Sequence, residues 1–233
     1  REKLHYVLNN CRASALIADA RADLSGLLED TNRAVPSLAG VILCGPTAAA
    51  TKFGARCLAF EAALSQGVAT CPAREGVDLD LACLIYTSGT TGDPKGVVLT
   101  HSNLLANIRA IGAGVNLQPG DFGVSWLPLY HDMGLIGSWL TALCFGVPIA
   151  IMSPLVFLSR PERWLWAIHE HRGTVSAAPN FAYELCARRV DERAIEGLDL
   201  SCWRAALNGA EPISPDTLER FARRFEPYGF RAE

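Results

Sequence analysis

Twelve consecutive residues, Tyr86–Val97, combine the residue types that bind phosphate groups. Glycines let main-chain N–H groups approach an anion closely, hydroxyl groups add donors, and Lys95 adds positive charge. Apolar segments on both sides, Leu81–Ile85 and Val97–Leu99, predict buried strands, so the sequence indicates a polyphosphate-binding loop on a rigid base. The predicted phosphate-binding residues are Thr87, Ser88, Gly89, Thr90, Thr91, Gly92 and Lys95.

This run is not a Walker A loop, which needs a glycine, four further residues and then Gly-Lys-Ser/Thr. Counted from Gly89, the last three positions hold Pro94, Lys95 and Gly96. The chain then continues as Val97–Leu99, a strand pattern, where a Walker A motif begins a helix. The count disfavours a phosphotransferase or NTPase and predicts a loop that joins two strands. An ordinary surface hairpin also fits the residue types.

Two segments resemble signatures of the adenylate-forming superfamily, which includes acyl-CoA synthetases, fatty-acyl-AMP ligases, luciferases and adenylation domains of peptide synthetases. They are Tyr86–Val97 and Trp126–Gly137, the second in the form found in fatty-acyl-AMP ligases. The resemblance covers nearly the whole chain from Leu81 onward. It implies that ATP activates a fatty or other carboxylic acid as an acyl-adenylate, with release of pyrophosphate. The acyl group then passes to an acyl carrier protein or, as the alternative, to CoA.

Several residues take roles from this resemblance. His131 follows a predicted strand, where open parallel sheets bind ligands. The resemblance places it near the substrate carboxylate as a catalytic residue with Lys95, and gives Asp132 a structural role. Taken alone, these residues also fit a helix-opening turn capped by Asp132. The residues predicted to bind the acid are Tyr130, His131, Asn180 and Phe181, with Tyr183 as a further wall of the acyl pocket.

A last turn follows the strand predicted over Arg204–Leu207. A glycine there lets a planar ring lie against the backbone. The resemblance implies that this turn borders the adenine, although the residue types alone also fit a plain strand-to-helix turn. The residues concerned are Gly209, Ala210, Glu211 and Pro212.

The wider pattern predicts an α/β fold with mostly parallel sheets and helices on both faces, because short apolar strands alternate with amphipathic helices. Ser214 and Pro215 mark the start of the last helix as cap and first residue. Between Ala48 and Asp80 the pattern fades into an expected connecting stretch. The other predicted strands are Ala15–Ala18, Gly40–Leu43, Gly123–Leu127, Val147–Ile151 and Thr174–Ala177, and the other predicted helices cover Leu4–Asn10 and Met133–Phe145 or start near Thr100, Pro161 and Phe181.

Domain organisation follows from the same resemblance. We expect residues 1–80 to form a partial first α/β subdomain with a connector, and residues 81–233 a truncated subdomain that binds ATP and the acyl group. The C-terminal lid domain, the magnesium ligand and the ribose-binding aspartate are expected outside this chain. The sequence therefore predicts a fragment of a larger ligase, and an inactive nucleotide-binding piece is the alternative for the isolated chain.

Composition narrows the partners. A net charge of −3 supplies no basic field for nucleic acid. No uninterrupted apolar run is long enough to predict a membrane span. The 8 cysteines form no Cys-x-x-Cys pair and mostly lie in apolar runs, so we expect buried thiols in a reducing cytoplasm and no zinc site. No metal site is predicted from this chain's own residues.

Overall fold

The computed structural model describes residues 2–22, 24, 35–45, 57–68, 70, 75–87 and 93–232. Its contacts divide the chain into a first unit, Arg1–Ser102, and a second unit, Asn103–Glu233. The predicted division by role at residues 80 and 81 stays a prediction. The described strands are β1 Ala15–Asp19, β2 Gly40–Cys44, β3 Cys57–Ala59, β4 Leu81–Thr87, β5 Lys95–Thr100, β6 Gly123–Ser125, β7 Ile149–Ile151, β8 Val175–Ala178 and β9 Ala205–Asn208.

The described helices alternate with these strands over most of the chain. The α-helices are α1 Glu2–Asn10, α2 Phe60–Gln66, α3 His101–Gly114, α4 Thr141–Phe145, α5 Pro154–Ser159, α6 Glu162–Glu170, α7 Asn180–Arg189 and α8 Pro215–Phe225. A π-helix, Met133–Leu140, runs directly into α4, and short 3₁₀ turns cover Glu192–Ile195 and Glu226–Tyr228. The predicted α/β class with mostly parallel sheets is confirmed.

In the first unit, β1, β2 and β3 form a parallel sheet in that order. Val41 and Leu43 of β2 are buried with Leu8 of α1, because alternate residues of a strand share one face. The expectation of a plain connector between Ala48 and Asp80 was wrong, since β3 and α2 both lie there. Strand β3 has 3 residues and helix α2 has 7, so each pattern is too short to recognise in the sequence.

Strands β4 and β5 form an antiparallel pair, with Thr87 opposite Lys95 at one end. The prediction that two strands flank the loop is confirmed, but the prediction that they are buried is wrong. Val97 is 44% exposed and Val98 is 63% exposed. In the described part of the chain these strands make a two-stranded sheet. Two strands alone cannot cover their own faces, so apolar composition does not lead to burial here.

In the second unit, four parallel strands follow the order β7-β6-β8-β9. Ser176 and Ala178 of β8 face an aromatic core beneath α6, α7 and α8, where the Trp164 indole N–H donates to Ser176 Oγ at 2.9 Å. Val175 and Ala177 face the other side, towards α3 and the π-helix. Helices therefore cover both faces, as predicted. The core aromatic residues include Trp126, Phe157, Trp164, Tyr183, Trp203, Phe221 and Phe225.

An ion pair between a buried carboxylate and an exposed arginine joins the amino ends of these strands. Asp121 precedes β6, Thr174 precedes β8 and Arg204 precedes β9. Asp121 Oδ1 accepts from Arg204 Nε at 2.8 Å and from Thr174 Oγ1 at 2.7 Å. These hydrogen bonds, those of Arg204 above all, lower the pKa of Asp121 to about 2. Arg204 also donates to the carbonyl oxygens of Val115 and Asn116, so it ties the end of α3 to the sheet.

The cap of helix α8 agrees with its prediction, whereas the predicted burial of the cysteines holds only in part. Ser214 caps α8, because its Oγ accepts from the N–H of Thr217 and Pro215 takes the first helical position, as predicted. Buried thiols were predicted, and Cys57 and Cys186 are buried. Cys144, in contrast, is exposed on α4, so an apolar run did not locate it in the core.

Candidate active site

Three segments leave the carboxyl ends of β6, β8 and β9 on one edge of the parallel sheet, here called the carboxyl edge. They are residues 126–132, 179–181 and 209–213. Since parallel strands all end on the same side, segments distant in sequence come together there. Most of the residues predicted to bind the acid or the adenine lie in them.

The first segment is a tight turn that ends in a helix cap. The His131 N–H donates to the Pro128 carbonyl oxygen at 3.1 Å. A Cβ on Gly134 would lie 2.3 Å from that oxygen, so glycine is required where the helix begins. Asp132 Oδ1 accepts from the Met133 N–H at 2.7 Å, which is the structural role predicted for Asp132.

His131 is held by its neighbour and still reaches solvent. Its Nδ1 lies 2.8 Å from Asp132 Oδ1, and its side chain is half exposed. Nδ1 also accepts from the Met133 N–H at 3.3 Å, which orients the ring and leaves Nε2–H as the donor for another partner. Tyr130, one residue earlier, is 87% exposed. Both residues can therefore meet a ligand at the carboxyl edge.

The second segment joins β8 to α7. Asn180 is the first residue of α7, and its Oδ1 accepts from Asn208 Nδ2 at 3.2 Å and from the Ser214 N–H at 3.1 Å. Phe181 is 43% exposed and packs edge-on against Trp126, with ring centroids 6.0 Å apart. Phe181 thus presents apolar surface at the carboxyl edge, as predicted.

The third segment turns sharply after β9. The Gly209 N–H donates to the Ala178 carbonyl oxygen at 3.3 Å, which continues the β8–β9 ladder by one bond. Ala210 has a positive φ of 68°, a conformation that costs an L-residue roughly 1 kcal/mol. Glu211 Oε1 accepts from the Phe181 N–H at 2.6 Å. The turn is therefore both strained and anchored.

Contacts join all three segments. Trp126 meets Phe181, and Phe181 meets Glu211. A Cβ on Gly209 would lie 3.8 Å from Met133 Sδ, so the β9 turn also borders the start of the π-helix. The fold thus brings the region of His131, the start of α7 and the Gly209 turn together, although they are distant in sequence.

An apolar cavity of about 50 Å³ lies on the face of the sheet that α3 and the π-helix cover, and it extends from the first residues of β6 and β8, Gly123 and Val175, towards the carboxyl edge. Ala177 and Leu207 line it, each one residue before the end of its strand. The π-helix contributes Gly137 and Ser138 to the opposite wall. The remaining lining residues include Ile111, Val115, Leu117, Thr141, Val147 and Ile149.

Sequence reasoning missed the small residues of this wall and misplaced one aromatic residue. Gly137 and Ser138 line the cavity and lie three and four residues after Gly134, and that helical spacing was the available signal for a helix with a narrow face. Tyr183 was expected to wall the acyl pocket, but it is 1% exposed among the core aromatic residues. Its hydroxyl donates to the Leu207 carbonyl oxygen at 2.8 Å, because α7 turns that side chain inward.

The predicted phosphate loop lies in the first unit. Thr87 is the last residue of β4 and Lys95 the first residue of β5, and both are exposed. Ser88, Gly89, Thr90, Thr91 and Gly92 lie outside the described residues. A Cβ on Gly96 would lie 3.1 Å from the Tyr86 ring, so this glycine makes room for an aromatic side chain on the paired strand.

Among the residues that the structure describes, no group of three or more His, Cys, Asp or Glu side chains could hold a metal ion. None of the helices within the described ranges is long and apolar enough to span a bilayer.

Comparison with known proteins assigns the chain to a family. The sequence profile of the AMP-binding enzymes matches residues 1–230. TtuA of Teredinibacter turnerae, a medium-chain-fatty-acid–[acyl-carrier-protein] ligase, is 46% identical over 154 residues, which cover 66% of this chain and 24% of that protein. FadD32 of Mycobacterium marinum, a long-chain-fatty-acid–AMP ligase, is 38% identical over 234 residues, which cover 98% and 34%.

A solved structure agrees in fold. The fatty acyl-adenylate ligase of L. pneumophila, in complex with acyl adenylate and pyrophosphate, superposes with a TM-score of 0.76 at 32% identity. The match covers 99% of this chain and 46% of that one. The chain belongs to the AMP-binding enzyme family, which confirms the resemblance to the adenylate-forming superfamily. It spans less than half the length of each of these three proteins.

Proposed function

We propose that this chain forms part of a ligase that activates a fatty acid with ATP as an acyl-adenylate and then transfers the acyl group to an acyl carrier protein. The observation that carries this proposal is the meeting of three strand-end segments above an apolar cavity. A carboxylic acid with an apolar tail has both a polar end and an apolar end to place. The carboxyl edge and the cavity offer one region for each.

The acid would lie with its carboxylate near His131 and its tail towards the cavity, which at about 50 Å³ has room for only part of an alkyl chain. Tyr130 and Phe181 border the same edge, and Asn180 begins the helix beside them. Apolar walls from Ala177, Leu207 and the π-helix favour an alkyl chain over a charged substrate. The names of the relatives, both fatty-acid ligases, support this substrate class.

The adenine of the nucleotide would bind at the β9 turn. The small residues Gly209 and Ala210 leave room for a planar adenine, with Glu211 and Pro212 completing the turn. Thr87 to Gly92 would bind the β- and γ-phosphates, and Lys95 would offset their charge. That role suits an exposed lysine at the end of the strand pair from which the loop extends.

Catalysis in this proposal is chiefly alignment and charge neutralisation. Two anions, a carboxylate and the α-phosphate, must meet, so the site has to orient them and reduce their repulsion. His131, oriented by the Met133 N–H at its Nδ1, would donate from Nε2 to the carboxylate and hold it in line with the phosphorus atom. Magnesium, when bound, neutralises phosphate charge. The carboxylate oxygen bonds to phosphorus, the bond to pyrophosphate breaks, and the acyl-adenylate is left as an activated acyl donor.

The test is exchange of labelled pyrophosphate into ATP by the full-length protein, with acids of graded chain length. We expect exchange that requires a fatty acid. Exchange that is equally fast without any carboxylic acid would contradict the adenylation step. Acceptors are then compared directly: acyl transfer to a carrier protein supports the proposal, whereas transfer to CoA alone identifies an acyl-CoA synthetase instead.

A further inference from the structure

The proposed acid segment and the proposed adenine turn are joined by side chains of their own. Asn180, at the start of α7, reaches the β9 turn, where its Oδ1 accepts from Asn208 Nδ2 at 3.2 Å and from the Ser214 N–H at 3.1 Å. These two donors lie before and after the residues predicted to border the adenine. One amide oxygen therefore holds both ends of that turn.

Glu211 makes the reciprocal contact. It lies inside the turn, and its Oε1 accepts from the Phe181 N–H at 2.6 Å. Phe181 lies in the first turn of α7, where backbone N–H groups have no partner within the helix. A carboxylate at a helix amino end is favourable for the same reason. Each segment thus supplies a side-chain oxygen that binds the backbone of the other.

Both oxygens are already engaged without any ligand. A carbonyl oxygen has two lone pairs, and Asn180 Oδ1 accepts two hydrogen bonds. Ala210, which lies between the points of attachment, has a strained positive φ that must be held by its surroundings. The contacts of Asn180 and Glu211 supply that restraint.

We infer that Asn180 and Glu211 are positioning residues that couple the acid-binding segment to the adenine-binding turn. The inference rests on the proposed function for the identity of the two substrates, and on the hydrogen bonds alone for the coupling. Disturbing either side chain releases both segments. Substitution of either residue should therefore lower the affinity for both substrates. Substitution of a residue that only contacts one substrate should lower the affinity for that substrate alone.

The kinetic test compares Glu211→Ala, Glu211→Gln and Asn180→Ala in the full-length protein. Each alanine variant should raise KM for ATP and KM for the fatty acid together, by about 5- to 30-fold, the usual effect of losing a hydrogen bond to a charged or buried group. Glu211→Gln keeps an acceptor oxygen and should recover most of both values. Glu196→Ala, on an exposed glutamate away from the carboxyl edge, is the matched control.

Amide hydrogen exchange gives a second readout that needs no activity. Glu211→Ala should speed exchange at Phe181 and also at Ser214, and Asn180→Ala should do the same, by about tenfold or more. Unchanged amide exchange at Ser214 in Glu211→Ala, or at Phe181 in Asn180→Ala, would overturn the coupling. A KM change confined to one substrate would do the same. If the wild-type protein shows no acid-dependent exchange of pyrophosphate, the proposed function fails, while the amide data still decide whether the two segments are coupled.

Discussion

The two edges of the four-stranded sheet in the second unit carry polar residues of opposite character. At the amino edge, Asp121, Thr174 and Arg204 bind one another, and Asp121 is 4% exposed. At the carboxyl edge, Tyr130 and His131 extend into solvent. The same strands therefore end in a buried carboxylate network on one side and, on the other, in hydrogen-bonded turns that also present exposed side chains.

Under the proposed function, this difference predicts that the amino edge contributes to stability and the carboxyl edge to the reaction. A polar group satisfied by protein partners has little to offer a ligand, whereas exposed groups held on rigid strand ends can bind one. Open parallel sheets bind ligands outside the carboxyl ends of their strands. Substitutions at the amino edge should thus lower stability and spare activity, and substitutions at the carboxyl edge should do the reverse.

The largest expected effect is the loss of Arg204. Arg204→Met leaves the buried Asp121 carboxylate without its main partner and should lower the free energy of unfolding by about 3 kcal/mol. Denaturant unfolding measures this change. Arg172→Met, which breaks a more exposed pair with Asp199, should cost less than about 1 kcal/mol and is the matched control. If Arg204→Met lost pyrophosphate exchange without any change in stability, the contrast between the two edges of the sheet would be wrong.

His131→Ala is the opposite case. Removal of the imidazole should reduce kcat/KM for acid-dependent pyrophosphate exchange by about 100-fold, the scale of one positioned catalytic side chain. The melting temperature should stay within about 2 °C, because the side chain is half exposed. His5→Ala, in α1 of the first unit, controls for loss of a histidine as such. A large fall in melting temperature for His131→Ala would assign this residue to structure.

Low pH should destabilise the protein through the Asp121 carboxylate at the amino edge. The pKa of Asp121 is lowered from 3.8 to about 2 by its hydrogen bonds, chiefly those of Arg204. Its stabilisation is therefore complete above about pH 4 and is lost as pH falls towards 2, which amounts to roughly 2 kcal/mol. Comparing wild type with Asp121→Asn by denaturant unfolding across this range isolates the contribution. Identical pH slopes for the two proteins would show that Asp121 is not the group responsible.

The smallest expected effect concerns the cavity below the carboxyl edge. Gly137 lines it, and a Cβ there would meet only Met133 Cγ, at 3.8 Å, so a larger side chain can extend into the cavity. Gly137→Leu should shift the preferred acid to a shorter chain and lower kcat/KM for longer acids by about tenfold, with short acids unaffected. Gly114→Leu, with open space around its Cβ position, is the control. An unchanged chain-length profile would exclude the cavity as the acyl site.

Features set by neighbouring residues could be predicted from the sequence, and features set by distant contacts could not. The strand endings, the cap at Ser214 and the turns at His131 and Gly209 follow from local patterns and a long signature. The Asp121–Arg204 pair joins residues 83 positions apart, and no local pattern reports such a partner. Exposure of Val97 and Val98, likewise, depends on what lies over the strand pair rather than on their own composition.

The π-helix at Met133–Leu140 has a consequence for how this protein can change length. Its carbonyls bind donors five residues ahead, as in Thr141 N–H to Ile136, so the segment holds a residue more than an α-helix needs to join the same ends. Deleting one residue there can restore the α pattern, whereas a deletion inside α7 turns every later side chain to another face. A single-residue deletion in this wall of the cavity is therefore expected to leave the register of the sheet unchanged.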